Sequence, residues 1–72
     1  MAQYVLAFTE GLKQKFVRVY ANNRQWTTRV WADTATKFAT RAEVDQWAAK
    51  LSTLNPVTYS TTDSGRTITR VS

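Results

Sequence analysis

The residues best suited to chemistry in this chain are basic and aromatic side chains that alternate along one short stretch. In residues 15–21, KFVRVYA, the side chains of Phe16, Arg18 and Tyr20 stand at alternate positions, so they share one face if the stretch is a β-strand. On such a face, aromatic rings can stack on nucleic-acid bases while guanidinium groups contact phosphates. The alternative is that both rings pack into a second small core and Arg18 extends past them to water.

Positive charge is concentrated around the same stretch. The chain carries a net charge of +5; residues 11–32 contain five bases and no acid, whereas the remaining residues contain five bases and five acids. A localised basic region is typical of a contact with nucleic acid or with an acidic protein. Its alternative is a solvated surface that keeps a small protein soluble. The five bases of this region are Lys13, Lys15, Arg18, Arg24 and Arg29.

Two further patterns add candidates for partner contact. Arg66, Ile68 and Arg70 alternate, and because a face with two arginines is costly to bury, this stripe is expected to face outward. The same charges would also protect an edge strand from unwanted pairing. An exposed tryptophan beside arginines is typical of an interface anchor, although in a short chain large rings often supply core area. The candidate partner-binding residues are Phe16, Arg18, Tyr20, Arg24, Trp26, Arg29, Arg66 and Arg70.

The residue types give little support to catalysis. The chain has 0 Cys and 0 His, which removes the commonest metal ligands and the commonest general base. The acids are scattered, and with only 2 glycines, Gly11 and Gly65, the chain has no phosphate-cradling loop. The sequence therefore predicts a protein that is not an enzyme and that uses no cofactor, metal or catalytic residue.

A single cytoplasmic domain is the expectation from length and hydropathy. The 72 residues suffice for one domain, 1–72. No apolar run approaches the roughly 18 residues of a membrane span. The start, MAQY, lacks the basic and apolar regions of a signal peptide. We therefore expect no membrane partner.

The strand pattern predicts a small antiparallel sheet. Apolar and β-branched runs at 3–8 and 15–21 indicate two strands, and 25–30 indicates a shorter third. Residues 57–62 and 66–72 flank Asp63-Ser64-Gly65 and are typical of a hairpin in which Gly65 has a positive φ. In the second strand, burial of Val17 and Val19 costs less free energy than burial of a face that contains Arg18. Phe16, Arg18 and Tyr20 are therefore expected on the opposite face.

One helix is strongly indicated. Thr40 followed three residues later by Glu43 is a capping box, and the apolar positions that follow it recur at helical spacing. The helix should stop at 52–54 because Pro56 disfavours a helical residue before it. A separate turn at 33–37, capped by Asp33, should place Ala35 and Phe38 on the same side. The apolar stripe consists of Val44, Trp47, Ala48 and Leu51.

These elements predict an α+β fold, with a sheet of four to five strands and one helix on one face, in the order β-β-(β)-α-β-β. One helix covers one side of a sheet only. The opposite face is therefore expected to be bare and to act as the contact surface.

The segment around the helix start resembles a pattern found in small proteins of phages and prophages. In that pattern two short strands lead to a tryptophan and then to A-x-x-F-x-T-x-x-E before a helix; this chain has Val44 where alanine is more usual. The resemblance covers residues 26–51 and involves packing and capping residues, so it implies a fold and a small accessory protein of a mobile element that acts by binding. The matching residues are Trp31, Ala35, Phe38, Thr40 and Glu43.

Three functions follow as expectations. The first is a non-enzymatic accessory protein that binds and modulates a host protein or a protein–nucleic-acid complex. The second is direct binding of single-stranded or duplex nucleic acid. The third is a structural homodimer.

Overall fold

Four strands and the helix form where the sequence pattern places them, whereas the last strand, predicted over 66–72, is confined to Thr69–Arg70. The computed structural model describes residues 2–20 and 25–71. Two short 3-10 helices, Ala32–Thr34 and Ser52–Leu54, flank the α-helix. The main elements are β1 (Gln3–Glu10), β2 (Lys13–Tyr20), β3 (Gln25–Arg29), α1 (Arg41–Lys50), β4 (Val57–Thr61) and β5 (Thr69–Arg70).

The five strands pair antiparallel in the order β3-β2-β1-β4-β5, with α1 packed mainly on β1 and β4. This arrangement confirms the predicted α+β class. The third strand, predicted only as a short possibility, is present. Among the described helices, none has the length and apolarity needed to cross a membrane.

β1 is the central strand because both of its faces are apolar. Leu6 and Phe8 face α1, whereas Val5 and Ala7 face the other side, and all four side chains are buried. We refer to these two sides of the sheet as the helix face and the second face. Burial on both sides is expected of a strand that lies between two neighbours and under two covering layers.

α1 begins at the predicted cap. The Thr40 side-chain oxygen accepts a hydrogen bond from the backbone N–H of Glu43 at 3.3 Å, which satisfies one of the free donors of the first helical turn. Val44 and Leu51 are buried, so the predicted stripe faces the sheet. The helix ends at Lys50, and Asn55, directly before Pro56, adopts a left-handed conformation with φ 53°. The core on the helix face consists of Leu6, Phe8, Val17, Phe38, Val44 and Leu51.

The second face of the sheet is partly covered, so the prediction that it is bare is wrong. The first 3-10 helix folds back over β1 and β2 and places Ala32 beside Phe16, whose side chain is only 6% exposed. The small alanine side chains allow its backbone to lie close to the strands. Tyr59 and Ile68 pack against the margin of this second core, which consists of Val5, Ala7, Phe16, Ala32 and Ala35.

The chain passes from the second face to the helix face between β1 and β2. The backbone N–H of Thr36 donates to the Val17 carbonyl at 3.2 Å, and Phe38 exchanges two backbone hydrogen bonds with Tyr4, at 2.7 and 2.9 Å. Residues 36–38, here named the crossing segment, therefore stand where Tyr4 would otherwise pair with β2. Ala35 lies in the second core and Phe38 in the helix-face core. The prediction that they face the same way is wrong, because this segment is extended.

The turn that precedes the crossing segment also differs from its prediction. Asp33 lies inside the first 3-10 helix and does not cap it; the N-cap is Trp31, which makes no side-chain cap bond. Instead, the Trp31 carbonyl accepts from both the backbone N–H and the hydroxyl of Thr34, at 3.3 and 2.9 Å. Such short side-chain-to-backbone bonds stabilise turns over helices.

The predicted hairpin near the C-terminal end has a longer loop than expected. The buried Thr61 hydroxyl oxygen accepts from the N–H groups of Asp63 and Gly65, at 3.4 and 3.0 Å. The Asp63 carboxylate accepts from the Thr67 N–H at 2.8 Å and from the Thr61 hydroxyl at 2.9 Å. The pKa of Asp63 is lowered by these two hydrogen bonds, the Thr67 bond being the larger cause. These bonds order the loop. β5, which follows it, is only two residues long.

Replacing Thr36 with valine should destabilise the fold. The Thr36 hydroxyl oxygen accepts from the Val19 N–H at 2.7 Å, and valine keeps the shape but leaves that donor unpaired. We expect the free energy of unfolding to fall by about 1–3 kcal/mol. Thr34→Val is the matched control, because the Thr34 hydroxyl is exposed and bonds only within its own turn. Equal denaturation midpoints for the two variants would contradict the crossing segment's role.

Replacing Gly65 with alanine should cost more than the same change at Gly11. Both have a positive φ, 96° and 63°. A methyl group at Gly65 would lie 2.6 Å from the Ala32 carbonyl oxygen, whereas at Gly11 it would meet nothing within 4 Å. We expect a loss of about 1–2 kcal/mol at Gly11 from conformation alone and about 3 kcal/mol or more at Gly65, where overpacking adds to it. Thermal unfolding of both variants measures the difference; similar losses would contradict the close approach.

Candidate binding surface

Arg18 is held outward by the turn that covers the second core. Its guanidinium Nη1 donates to the Thr34 carbonyl at 2.8 Å, at the end of the first 3-10 helix. The side chain is exposed. Its hydrogen-bond acceptor is a neutral carbonyl, and the positive charge therefore remains available to a partner.

Arg29 and Tyr20 meet across the β2–β3 pair. Arg29 stands opposite Phe16, and Tyr20 stands opposite Gln25, so their side chains run toward each other along the second face. The Arg29 guanidinium Nη2 donates to the Tyr20 hydroxyl at 3.1 Å, and Nη1 donates to the Thr28 carbonyl at 3.2 Å. Both acceptors are again neutral. The Tyr20 side chain remains 43% exposed.

Lys37 brings a third positive charge to the same end of the sheet. Its ammonium group donates to the Asp33 carbonyl. The pKa of Lys37 is lowered, chiefly by partial burial; the Asp33 carboxylate acts in the opposite sense and the positive charge of Arg18 lowers the pKa further. Arg18 and Lys37 donate to neighbouring carbonyls of the first 3-10 helix, those of Thr34 and Asp33, so the two cations lie at the same turn.

Exposed apolar side chains occur in the segment that joins β3 to the first 3-10 helix. Trp31, which directly precedes the first 3-10 helix, is 70% exposed, and its neighbour Val30 is 60% exposed. Tryptophan, tyrosine and arginine are the residues that contribute most to binding at protein interfaces. The basic–aromatic surface, as the name is used below, consists of Arg18, Tyr20, Arg29, Trp31 and Lys37.

Trp26 belongs to the other side of the sheet. It stands opposite Val19 on the helix face, and its ring packs edge-on against Phe8, with the ring centres 6.3 Å apart and the planes at 88°. Edge-to-face contacts of this kind stabilise aromatic pairs. The ring is nevertheless 39% exposed, because α1 covers mainly β1 and β4. Trp26 therefore packs on the helix-face core through its contact with Phe8 while part of its ring remains exposed to solvent.

The predicted contact residues divide into separate places. The structure brings Arg18, Tyr20 and Arg29 together, whereas Phe16 is buried beneath the first 3-10 helix and cannot touch a partner. Arg24 lies outside the described residues.

The basic residues near the C-terminal end form a separate group. Arg66 and Arg70 are exposed, but β5 lies three strands from β2, roughly 14 Å away at the usual strand spacing. Ile68 packs against the second core. The stripe predicted to face outward is therefore divided, with its apolar member turned in and its arginines turned out.

Two residues of the basic–aromatic surface were not predicted from the sequence. Trp31 matches the packing position of the phage resemblance, and nothing in its local pattern indicates that it is exposed. Lys37 belongs to the part of the chain in which bases and acids balance. Its place on this surface depends on the crossing segment, which runs beside Val17 and Val19 of β2.

The surface is open, and comparison adds no precedent for it. No pocket is found among the described residues, and they contain no group of three or more His, Cys, Asp or Glu side chains placed to hold a metal ion. Comparisons with protein-family models, with curated proteins and with solved structures find no match.

Proposed function

We propose that this chain is a non-enzymatic accessory protein, of the kind encoded by phages, that binds and modulates a host protein or protein–nucleic-acid complex in the cytoplasm. The contact is made by the basic–aromatic surface. The observation that carries the proposal is the placement of three cations around the first 3-10 helix and the adjoining β2–β3 pair, together with an exposed tryptophan and a half-exposed tyrosine. The sites on the partner that suit this surface are acidic.

The arrangement of the cations supports this assignment. Arg18 and Arg29 are positioned by hydrogen bonds to neutral oxygens, so less side-chain entropy is lost when a carboxylate binds. Arginine also presents a planar group that can bond both oxygens of one carboxylate. A rigid basic patch of this kind accelerates association with an acidic surface and fixes its orientation.

A protein partner suits the surface better than a nucleic-acid strand does. Binding of single strands uses successive open aromatic faces along a basic groove. Here Phe16 is buried, and the hydroxyl of Tyr20 is bonded to Arg29. Among the aromatic side chains of residues 2–20 and 25–71, only Trp31 presents a largely open ring, which suits one anchor in a protein interface.

Reversing the charge at Arg18 and Arg29 should abolish partner capture. We expect the tagged protein to retain a bacterial partner from nuclease-treated lysate, and Arg18→Glu with Arg29→Glu to lose it, because like charges would then face each other. Quantitative mass spectrometry of the captured material measures the loss. Arg18 is exposed and Arg29 is half-buried, and a thermal melt verifies that the fold survives the double change.

Arg66→Glu with Arg70→Glu is the matched control. It changes the net charge equally but lies across the sheet. Retention of the partner by this control, together with its loss from the first variant, is the expected pair of results. Equal loss from both variants would show that net charge alone governs capture and would contradict a localised surface.

Direct titration with nucleic acid tests the alternative function. Three cations can neutralise about three phosphates, so any binding of single-stranded DNA should be weak, with a slope of log affinity against log salt no steeper than about −2. Fluorescence anisotropy of a labelled oligonucleotide measures that slope. A much steeper slope, removed by the Arg18 and Arg29 changes and retained in the Arg66 and Arg70 control, would favour direct nucleic-acid binding.

A further inference from the structure

β3 is the longer of the two strands at the edges of the sheet. It lies at one end of the strand order, and within residues 2–20 and 25–71 no strand pairs with its outer side. β3 has five residues, whereas β5 at the opposite edge has two. Natural edge strands are commonly protected by proline, bulges, short length or charge, and the charge that β3 carries, on Arg29, repels a basic strand but attracts an acidic one. β3, with the sequence QWTTR, contains no proline and is fully paired along its inner side.

Exposed apolar side chains gather around this edge. Six large apolar residues of the described chain are exposed, and four of them lie on β3 or beside it. In a small protein, a concentration of this kind typically marks a surface that a partner covers. The four are Tyr20, Trp26, Val30 and Trp31.

The two faces of β3 differ in chemistry. Arg29 projects on the second face, where it reaches Tyr20, whereas Trp26 projects on the helix face beside Phe8. Because side chains alternate along a strand, a strand added to this edge would present every second side chain to Arg29. The intervening side chains would lie beside Trp26.

We propose that the partner binds as an extended segment that adds to β3, with acidic side chains on the second face and apolar side chains on the helix face. This inference rests on the proposed function and names the form of the partner. Charge complementarity favours an acidic strand as the partner at this edge, because the chain carries +5 overall and Arg29 lies on β3 itself. A second copy of this chain would bring the same positive surface against itself, whereas an acidic strand neutralises it.

A peptide of alternating glutamate and valine, about seven residues long to span the edge, is the probe. In strand addition, only every second backbone N–H of the peptide points at β3. Methylating the backbone nitrogens of one alternate set should therefore abolish binding, and methylating the other set should leave affinity within about twofold. NMR titration of the labelled protein should show the largest shifts at residues 25–29.

Charge reversal at the two edges supplies the matched protein controls. Arg29→Glu places a negative charge on the β3 edge and should weaken peptide binding by about tenfold or more. Arg70→Glu makes the same change on β5, at the opposite edge, and should alter affinity less than about threefold. The NMR spectrum of each variant shows directly whether the sheet remains folded.

Three results would overturn strand addition. One is peptide binding that tolerates methylation of either set equally, which indicates electrostatic contact without pairing. Another is no binding of the unmethylated peptide at all. The third is a set of β3 shifts that depend on protein concentration without peptide, which indicates that a second copy occupies the edge.

The outcomes also separate this inference from the proposed function. Suppose that the peptide does not bind, but that the Arg18→Glu, Arg29→Glu variant still loses its captured protein. The proposal of an acidic partner is then retained, and only the inference that the partner binds as an extended strand is rejected. If that variant retains its captured protein, the proposed function itself is rejected, whatever the peptide does.

Discussion

The rest of the structure depends on the passage of the chain between β1 and β2. Thr36 and Phe38 take hydrogen bonds that adjacent strands would otherwise exchange: Thr36 bonds Val17 and Val19, and Phe38 bonds Tyr4. The backbone crosses the sheet without leaving these polar groups unpaired, which is what burial of a connection requires. Because the crossing lies between the first 3-10 helix and α1, one continuous stretch covers both faces of the sheet.

Two small cores allow a chain of 72 residues to bury both faces of its sheet with one helix and one short turn. A domain of this length buries only about 60% of its unfolded surface, so few residues can be spared for a second helix. A single turn rich in alanine serves instead, since Ala32 and Ala35 let the backbone lie directly on Phe16. The loop containing Gly65 closes over that turn, where a glycine is needed for both conformation and space.

The crossing also determines which side chains of the second face reach solvent. By covering Phe16, the first 3-10 helix removes the middle of the second face from contact and confines accessible basic side chains to its margins. Its terminal carbonyl at Thr34 then holds Arg18 toward solvent, and the residue that enters it, Trp31, stays exposed. The surface next to β3 is thus a consequence of how the core is closed.

The sequence by itself determined the features that depend on neighbours a few residues away. The cap at Thr40, the stripe of α1, the strands and the positive φ of Gly65 follow from local spacing, turn chemistry and alternation, and each is present. Only the tertiary structure decided which strand face is covered, and by what. Alternation shows that Phe16, Arg18 and Tyr20 share a face, but not that a turn sixteen residues further along buries the first and leaves the others exposed. The separation of Ala35 from Phe38 and the meeting of Arg18, Arg29 and Lys37 have the same cause: both arise from contacts between distant segments, whose free energy depends on the packing of the whole chain and not on any local pattern.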